Sequence, residues 1–117
     1  MKKIVAFLLA LTMLLALTAC GAKTEEKDLT GVADGVLTVG MECAYAPYNW
    51  TQMDDSNGAV PIANNPGAYA NGYDVMIAKK ICEANGWTLE VKAISWDGLV
   101  PALNAGEIDA EIGRAHV

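Results

Sequence analysis

The sequence predicts an α/β fold in which parallel strands are joined by helices. Residues 35–41 (GVLTVGM) form a compact β-rich run bounded by glycines, which is typical of a strand. Two later segments have the features of helices, and each is followed by a further strand-like run. The resulting order of strand, loop, helix, strand, helix and strand is the one that gives a parallel sheet with helical crossovers.

The first helix is predicted from Asp74 to about Asn85. Asp74 is placed to cap the N-terminus, and Asn85 followed by Gly86 is a typical helix end. Four residues at helical spacing fall near one face of this helix: Tyr73, Ile77, Ile81 and Ala84.

The remaining predicted strands and the second predicted helix lie between residues 87 and 110. Residues 87–94 (WTLEVKAI) alternate apolar and charged side chains, which predicts a strand. A helix follows, in which Asp97 as the cap would put Pro101 at the edge of the first turn, where its missing N–H costs least. Gly106 is predicted to end this helix, and residues 108–110 begin a further strand.

Residues 42–71, between the first strand and the first helix, are predicted to form a long polar loop. They include Pro47, Pro61 and Pro66, and loops of this length in a compact domain are often functional. Residues 54–58 (DDSNG) are a strong turn signal and are predicted to form a hairpin tip. They lack the ligand spacing of an EF-hand loop, so a solvated turn is favoured over a calcium site.

The charge of the chain excludes nucleic acid as a partner. The 117 residues include 8 Lys+Arg and 14 Asp+Glu, a formal net charge of −6, and 53% of them are hydrophobic. Residues 1–19 contain two lysines and no acid, so the remainder carries −8. A chain this acidic has no basic patch to displace counterions from phosphates.

The N-terminus has the pattern of a cleavable signal. A basic start at residues 1–3 precedes an apolar run at 4–19 that is short for a permanent membrane span. The run ends in Leu-Thr-Ala-Cys-Gly, which resembles the lipobox of bacterial lipoproteins; an ordinary secretory signal with a chance cysteine is the alternative. We expect residues 1–19 to be a signal peptide, Cys20 to carry the lipid, palmitate included, and residues 20–34 to form a polar tether.

The sequence holds no constellation for catalysis, redox chemistry or metal binding. His116 is the single histidine and lies one residue from the end, so Ser56 and Ser95 have no partner for a triad. Phosphate-binding glycine motifs and C-x-x-C pairs are absent, and no cofactor or metal is expected. Cys82 is predicted to be a small core residue, while a disulfide with Cys43 stays open.

The segment that leaves the first strand is the best candidate for a binding site. Residues 42–50 (ECAYAPYNW) hold three aromatics and one carboxylate, and ligands of open α/β sheets bind at the carboxyl ends of strands. Aromatic faces would supply shape and the carboxylate would meet an ammonium group. A loop whose aromatics only cover the core is the alternative that the residues leave open.

Three motifs follow one another in register between residues 35 and 110. They are the strand at 35–41 with Tyr-Ala-Pro-Tyr at 45–48, Gly-Tyr-Asp-Val at 72–75, and the segments 96–103 and 106–110. Together they resemble the type 3 solute-binding proteins, the amino-acid-binding components of ABC importers. The resemblance implies that residues 35–110 are the first part of lobe one of a two-lobe clamp, the periplasmic-binding-protein type II fold, truncated before the hinge and lobe two.

This resemblance makes five residues candidate ligand contacts. Tyr45 would pack against the ligand side chain, and Glu42 would contact that side chain or the ammonium group. Trp50 is a candidate cleft aromatic, and Ala70 and Asn71 would line the cleft with backbone and a side chain. Other motif residues are assigned to helix starts or to packing: Asp74, Asp97 and Trp96.

The resemblance also implies a location and partners. The parent protein would be an extracytoplasmic lipoprotein, anchored through Cys20, that binds a free polar amino acid as a monomer and delivers it to ABC importer permease subunits. It would not be an enzyme. Two alternatives share the fold, a periplasmic cyclohexadienyl-dehydratase-type enzyme and the sensory input domain of a receptor.

The last seven residues depart from the family pattern. Glu111 interrupts an apolar strand, and the neighbours of Arg114 do not match the arginine that clamps the ligand carboxylate in the family. The segment IGRAHV is what a common sequencing-library adapter, ATCGGAAGAGCACACGTC, encodes in one frame, with GAG for Glu111. We therefore expect residues 111–117 to be non-native, a prediction that the coding DNA tests; a genuine short protein is the alternative.

Overall fold

The computed structural model describes residues 31–112, so the predictions for residues 1–19, Cys20, the tether up to residue 30 and residues 113–117 lie outside the described part. Its elements in chain order are β1 (Val36–Met41), β2 (Ala44–Tyr45), β3 (Asn49–Gln52), a 3-10 turn (Ser56–Gly58), β4 (Val60–Pro61), β5 (Tyr69–Asn71), α1 (Tyr73–Asn85), β6 (Thr88–Ala93), α2 (Trp96–Ala105) and β7 (Ala110–Glu111). Neither helix of this part has the length and apolar character that a membrane crossing requires.

The first sheet is the parallel one that the element order predicts. β1 lies between β6 and β7, and both neighbours run parallel to it. Alternate residues of β1 point into the core: Leu37, Val39 and Met41. The connections from β1 to β6 and from β6 to β7 each contain a helix, so the α/β prediction is confirmed.

Strand β7 begins two residues later than predicted. The amide of Asp109 donates to the carbonyl of Thr38 at 2.8 Å, and its carboxylate accepts from the Thr38 amide at 2.9 Å. The side chain of Asp109 therefore takes the place of a backbone carbonyl at the start of the hydrogen-bond ladder between β1 and β7. Glu111 continues the strand opposite Gly40 rather than interrupting it.

A second, antiparallel sheet occupies much of the stretch predicted as one long loop. Its strand order is β2-β3-β5-β4. The predicted turn is present at Ser56–Gly58, but the hairpin prediction is wrong, because β5 lies between β3 and β4 and pairs with both. Strands of two to four residues show too little alternation to be recognised in the sequence.

Helix α1 ends where predicted but is capped differently. Gly72 is the N-cap, and no side chain caps the helix. Asp74 lies in the first turn, where its Oδ2 accepts a hydrogen bond from Asn49 Nδ2 at 2.7 Å. The assignment of Asp74 as the cap is therefore wrong, since its carboxylate binds a neighbouring strand instead. Gly86 in the left-handed conformation ends the helix at Asn85, as predicted.

The buried face of α1 also differs from the apolar face read from the sequence. It consists of Asp74, Val75, Ala78 and Cys82. The residues of the predicted apolar face are exposed instead: Tyr73, Ile77, Ile81 and Ala84. The hydrogen bond from Asn49 to Asp74 directs the helix face that carries Asp74 towards the sheet. The small side chains on the same face allow the helix and the sheet to pack closely.

Helix α2 begins before its predicted cap. Ser95 is the N-cap and Asp97 lies in the first turn, so Pro101 is inside the helix rather than at the edge of its first turn. Proline has no N–H to donate to the carbonyl of Asp97 four residues earlier, and one helical hydrogen bond is absent there. Gly106 ends the helix in the left-handed conformation, as predicted.

A single side chain covers part of the outer edge of β6. Asn64 Nδ2 donates to the carbonyl of Ala93 at 2.8 Å, and Asn64 Oδ1 accepts from the Ala93 amide at 2.9 Å. The amide of Ala63 donates to the carbonyl of Val91 in the same way as a strand neighbour would. Asn64 thus takes the place of a paired strand and protects the edge.

Replacing Asn64 by alanine is expected to lower the free energy of unfolding by about 1 kcal/mol, because two exposed main-chain groups of Ala93 lose their partner. Asn65→Ala is the control, since the Asn65 side chain makes no hydrogen bond within residues 31–112; its effect should stay below about 0.5 kcal/mol. Urea unfolding followed by circular dichroism measures both. Equal losses would show that Asn64 does not protect the edge.

Candidate functional site

Glu42 lies at the carboxyl end of β1, against the start of α2. Its Oε1 accepts a hydrogen bond at 3.3 Å from the amide of Trp96, the first residue of that helix. A carboxylate in this position is stabilised by the positive end of the helix dipole. Among residues 31–112 the other oxygen of the half-buried Glu42 has no hydrogen-bond partner, which leaves it available to a cationic or donor group.

Tyr45 and Tyr48 form an exposed aromatic pair beside this carboxylate-bearing segment. Their ring centroids are 5.4 Å apart with the planes at 20°, and the two residues are 52% and 48% exposed. A cis peptide joins Ala46 to Pro47 between them, and the amide of Tyr48 donates to the carbonyl of Tyr45 at 2.9 Å. The two rings present surface to solvent and do not merely cover the core.

Trp50 lies on β3 between β2 and β5, opposite Asn71. Its Nε1 donates to Gln52 Oε1 at 3.3 Å, and Asn71 Nδ2 donates to the same oxygen at 3.2 Å. The indole N–H is thus engaged within the sheet, and the half-buried ring is left with its apolar faces.

Gln52 is a residue of this region that the sequence did not single out. Its Nε2 donates to Asp54 and Ser56 while its Oε1 accepts from Trp50 and Asn71. Alternation places Trp50 and Gln52 on the same face of β3, which is the one sequence signal that would have paired them.

Ala70 and Asn71 lie inside the protein. Ala70 is fully buried in the core, between Thr51 of β3 and Val60 of β4. Asn71 is 5% exposed, and its side chain bonds to Gln52 and to the amide of Gly72. Neither residue is open to solvent in this arrangement, main chain included, so both can reach a ligand only after movement.

The turn after β3 is ordered by Asp54. Hydrogen bonds from the hydroxyl and the amide of Ser56 hold the pKa of the Asp54 carboxyl below its usual value. The contribution of this carboxylate to stability is therefore present above the unfolded pKa and is lost as the pH falls through the folded pKa. Within residues 31–112 no group of histidine, cysteine and acidic side chains is placed to hold a metal ion.

Cys43 and Cys82 are both buried, and neither is in a disulfide. The prediction that Cys82 is a small core residue is confirmed. Burial raises the pKa of the Cys43 thiol to about 11 and raises that of Cys82 in the same direction. Because the folded state favours the protonated thiol, the stability that Cys43 contributes is complete below the unfolded pKa of 9.0 and is lost as the pH rises towards 11.

A thiol reagent is expected to distinguish the folded from the unfolded chain. In a Cys20→Ser, Cys82→Ala chain at pH 8, Cys43 should react with Ellman's reagent at least about 10-fold more slowly under native conditions than in guanidinium, because the raised pKa lowers the thiolate fraction and burial shields the sulfur from the reagent. Similar rates in both conditions would mean that Cys43 is exposed.

The family of the chain follows from a comparison with family models. The model described as bacterial extracellular solute-binding proteins, family 3, matches residues 37–116, more than half of the chain. The chain belongs to this family. An extracytoplasmic location follows from membership. The match includes most of residues 111–117, whose non-native origin stays a prediction.

Two curated relatives illustrate what this family 3 chain is similar to. The L-cystine-binding protein TcyA of Bacillus subtilis (strain 168) is 27% identical over 93% of the chain, and a probable histidine-binding protein of Neisseria gonorrhoeae is 33% identical over 93%. The chain spans only 40% and 36% of the length of these relatives. Both are named as binding proteins and not as enzymes.

A solved structure of a binding protein supports the fold. The crystal structure of the substrate binding protein of an amino acid ABC transporter aligns with 62% of this family 3 chain and with 28% of its own chain, at a TM-score of 0.50 and 27% identity. The described residues therefore form an α/β partial domain of the kind expected for part of one lobe of a binding protein.

Proposed function

We propose that this chain forms the ligand-contacting part of one lobe of an amino-acid-binding protein that serves an ABC importer and catalyses no reaction. The observation that carries the proposal is the arrangement after β1, where one carboxylate oxygen of Glu42 has no partner among residues 31–112 and Tyr45 exposes half of its surface. Because the chain belongs to a solute-binding family, we interpret this arrangement as part of a ligand site. The relatives named for cystine and histidine support a polar amino acid as the ligand.

In this proposal each side chain has a separate task. The free oxygen of Glu42 accepts a hydrogen bond from a cationic or donor group of the ligand, and Tyr45 packs against its side chain. Trp50 lines the cleft with an apolar face because its N–H is bonded to Gln52. Ala70 and Asn71 line the cleft only once movement exposes them, since both residues are buried in this arrangement.

We also propose that sequence beyond this chain supplies the rest of a two-lobe clamp, because the chain spans only 40% of the length of TcyA. Closure of the clamp about a hinge would exclude water and strengthen the polar contacts without any covalent step. The closed, monomeric protein would then present the amino acid to the permease subunits of the importer. Residues 20–117 alone are expected to bind no amino acid in the micromolar range.

Membrane attachment through Cys20 is a further part of the proposal. A lipobox-type sequence would lead to removal of residues 1–19 as a signal peptide and lipid on Cys20, with palmitate among the acyl chains, and dual acylation gives stable anchoring. Cells expressing the chain should incorporate tritiated palmitate into it. The Cys20→Ser variant is the control, and retention of label in that variant would contradict the assignment.

A screen of the twenty amino acids tests the proposed function. The protein encoded by the complete reading frame is heated with each amino acid, and a polar amino acid is expected to raise its melting temperature by several degrees through mass action. Residues 20–117 are screened in parallel and should not respond. Absence of any response in the complete protein, or turnover of prephenate or arogenate by it, would contradict the proposal.

A further inference from the structure

Cys43 has a backbone conformation that few residues other than glycine adopt. Its φ is 56°, in the left-handed region. Cys43 follows Glu42 and precedes β2, which contains Tyr45. The conformation of this one residue therefore sets the direction in which Tyr45 leaves the parallel sheet relative to Glu42.

Two side chains of β3 bind the main-chain groups of Cys43. The amide of Cys43 donates to Asn49 Oδ1 at 2.8 Å, and its carbonyl accepts from Thr51 Oγ1 at 2.9 Å. Asn49 is 1% exposed, and its Nδ2 donates to Asp74 Oδ2 at 2.7 Å. This bond to a carboxylate fixes the amide orientation, because only Nδ2 can donate to Asp74 and Oδ1 is then left facing Cys43.

We infer that Asn49 and Thr51 are positioning residues that hold Cys43 in its left-handed conformation and so fix the placement of Glu42 relative to Tyr45. For its consequence in binding the inference rests on the proposed function, in which Glu42 and Tyr45 contact the ligand. Asn49 and Thr51 act through the backbone of Cys43 and need no contact with the ligand themselves.

Thr51→Val and Thr51→Ser form a matched pair for testing the inference. Valine keeps the shape of threonine without the hydroxyl, whereas serine keeps the hydroxyl; Thr51 is exposed and lies on a strand, so both variants should fold. In NMR spectra of the full chain, Thr51→Val is expected to shift the amide signals of residues 43–45. The three-bond coupling between the amide and α protons of Cys43, and its Cα chemical shift, should lose the values typical of a left-handed residue. Thr51→Ser should keep the wild-type pattern. Equal spectra for the two variants at these residues would overturn the inference.

A binding measurement separates this inference from the proposed function. The probe is the amino acid with the largest effect in the thermal screen, titrated into the protein of the complete reading frame. Thr51→Val should weaken binding about five-fold and Thr51→Ser less than about two-fold. Wild-type affinity in Thr51→Val would overturn the inference and leave the proposed function intact. If the wild type binds no amino acid, the proposed function fails and the NMR comparison decides the positioning role by itself.

Discussion

Replacing Gly72 by alanine is expected to lower the free energy of unfolding by about 4 kcal/mol. Gly72 has φ 124° and ψ −178°, a region that is essentially restricted to glycine. A Cβ at this position would overlap the carbonyl oxygen of Tyr48 and lie 3.0 Å from Cα of Asn49. Both are backbone atoms, and the same carbonyl accepts the amide of Asp74 at 2.8 Å, so it cannot withdraw without breaking the start of α1.

Gly86→Ala is the matched control for this substitution. Gly86 also has a positive φ, of 70°, but a Cβ there meets no atom within 4 Å. Only the backbone preference is then affected, and the expected loss is about 1 kcal/mol. Urea unfolding of the two variants measures the difference, and losses of the same size would mean that the close approach at Gly72 is not important for stability.

Replacing Asp74 by alanine is expected to lower the free energy of unfolding by about 3 kcal/mol. The substitution removes a buried hydrogen bond to a charged acceptor and leaves Asn49 Nδ2 without a partner. It also removes a negative charge from the first turn of α1, where the helix dipole favours one. Chemical unfolding of the wild-type chain and the variant gives the value.

Asp97→Ala provides the comparison, because Asp97 is likewise an acid in the first turn of a helix but is exposed. Its loss should stay below about 1 kcal/mol. If Asp74→Ala is no more harmful than Asp97→Ala, the buried network of Asn49 and Asp74 does not stabilise the fold.

The parallel part of the fold could be predicted because its signals are local. Gly35 precedes β1, and Gly86 and Gly106 end the two helices, so the order of elements follows from short segments. The antiparallel sheet could not be predicted, because its strands are short and β5 pairs with residues up to about twenty positions away on β3. Nothing near residues 54–58 indicates that a third strand separates the two strands that the turn connects.

The buried face of α1 could not be predicted from the sequence either. Hydrophobicity alone favours burial of Tyr73, Ile77 and Ile81, which are exposed. The helix instead buries Asp74, because Asn49 on β3 supplies its hydrogen bond. A polar contact between residues so distant in sequence leaves no periodic pattern.

Some residues of the candidate site could be predicted from the sequence and others could not. Tyr45 belongs to a recognisable motif and Glu42 directly follows the strand of that motif, and both lie after β1 as expected. Asn49, Thr51 and Gln52 bind backbone or neighbouring side chains and belong to no motif, so their hydrogen-bonding roles become visible in the structure.

Calorimetric titration of site variants shows whether the segment after β1 contacts an amino acid. The amino acid from the thermal screen is titrated into the complete protein and into Glu42→Gln, Tyr45→Ala and Tyr73→Ala variants. Glu42→Gln and Tyr45→Ala should each raise the Kd about ten-fold, because each removes a direct contact. Tyr73→Ala, which removes a tyrosine that is 63% exposed on α1, should change the Kd less than about two-fold. Equal affinities in all three variants would show that neither Glu42 nor Tyr45 contacts the amino acid.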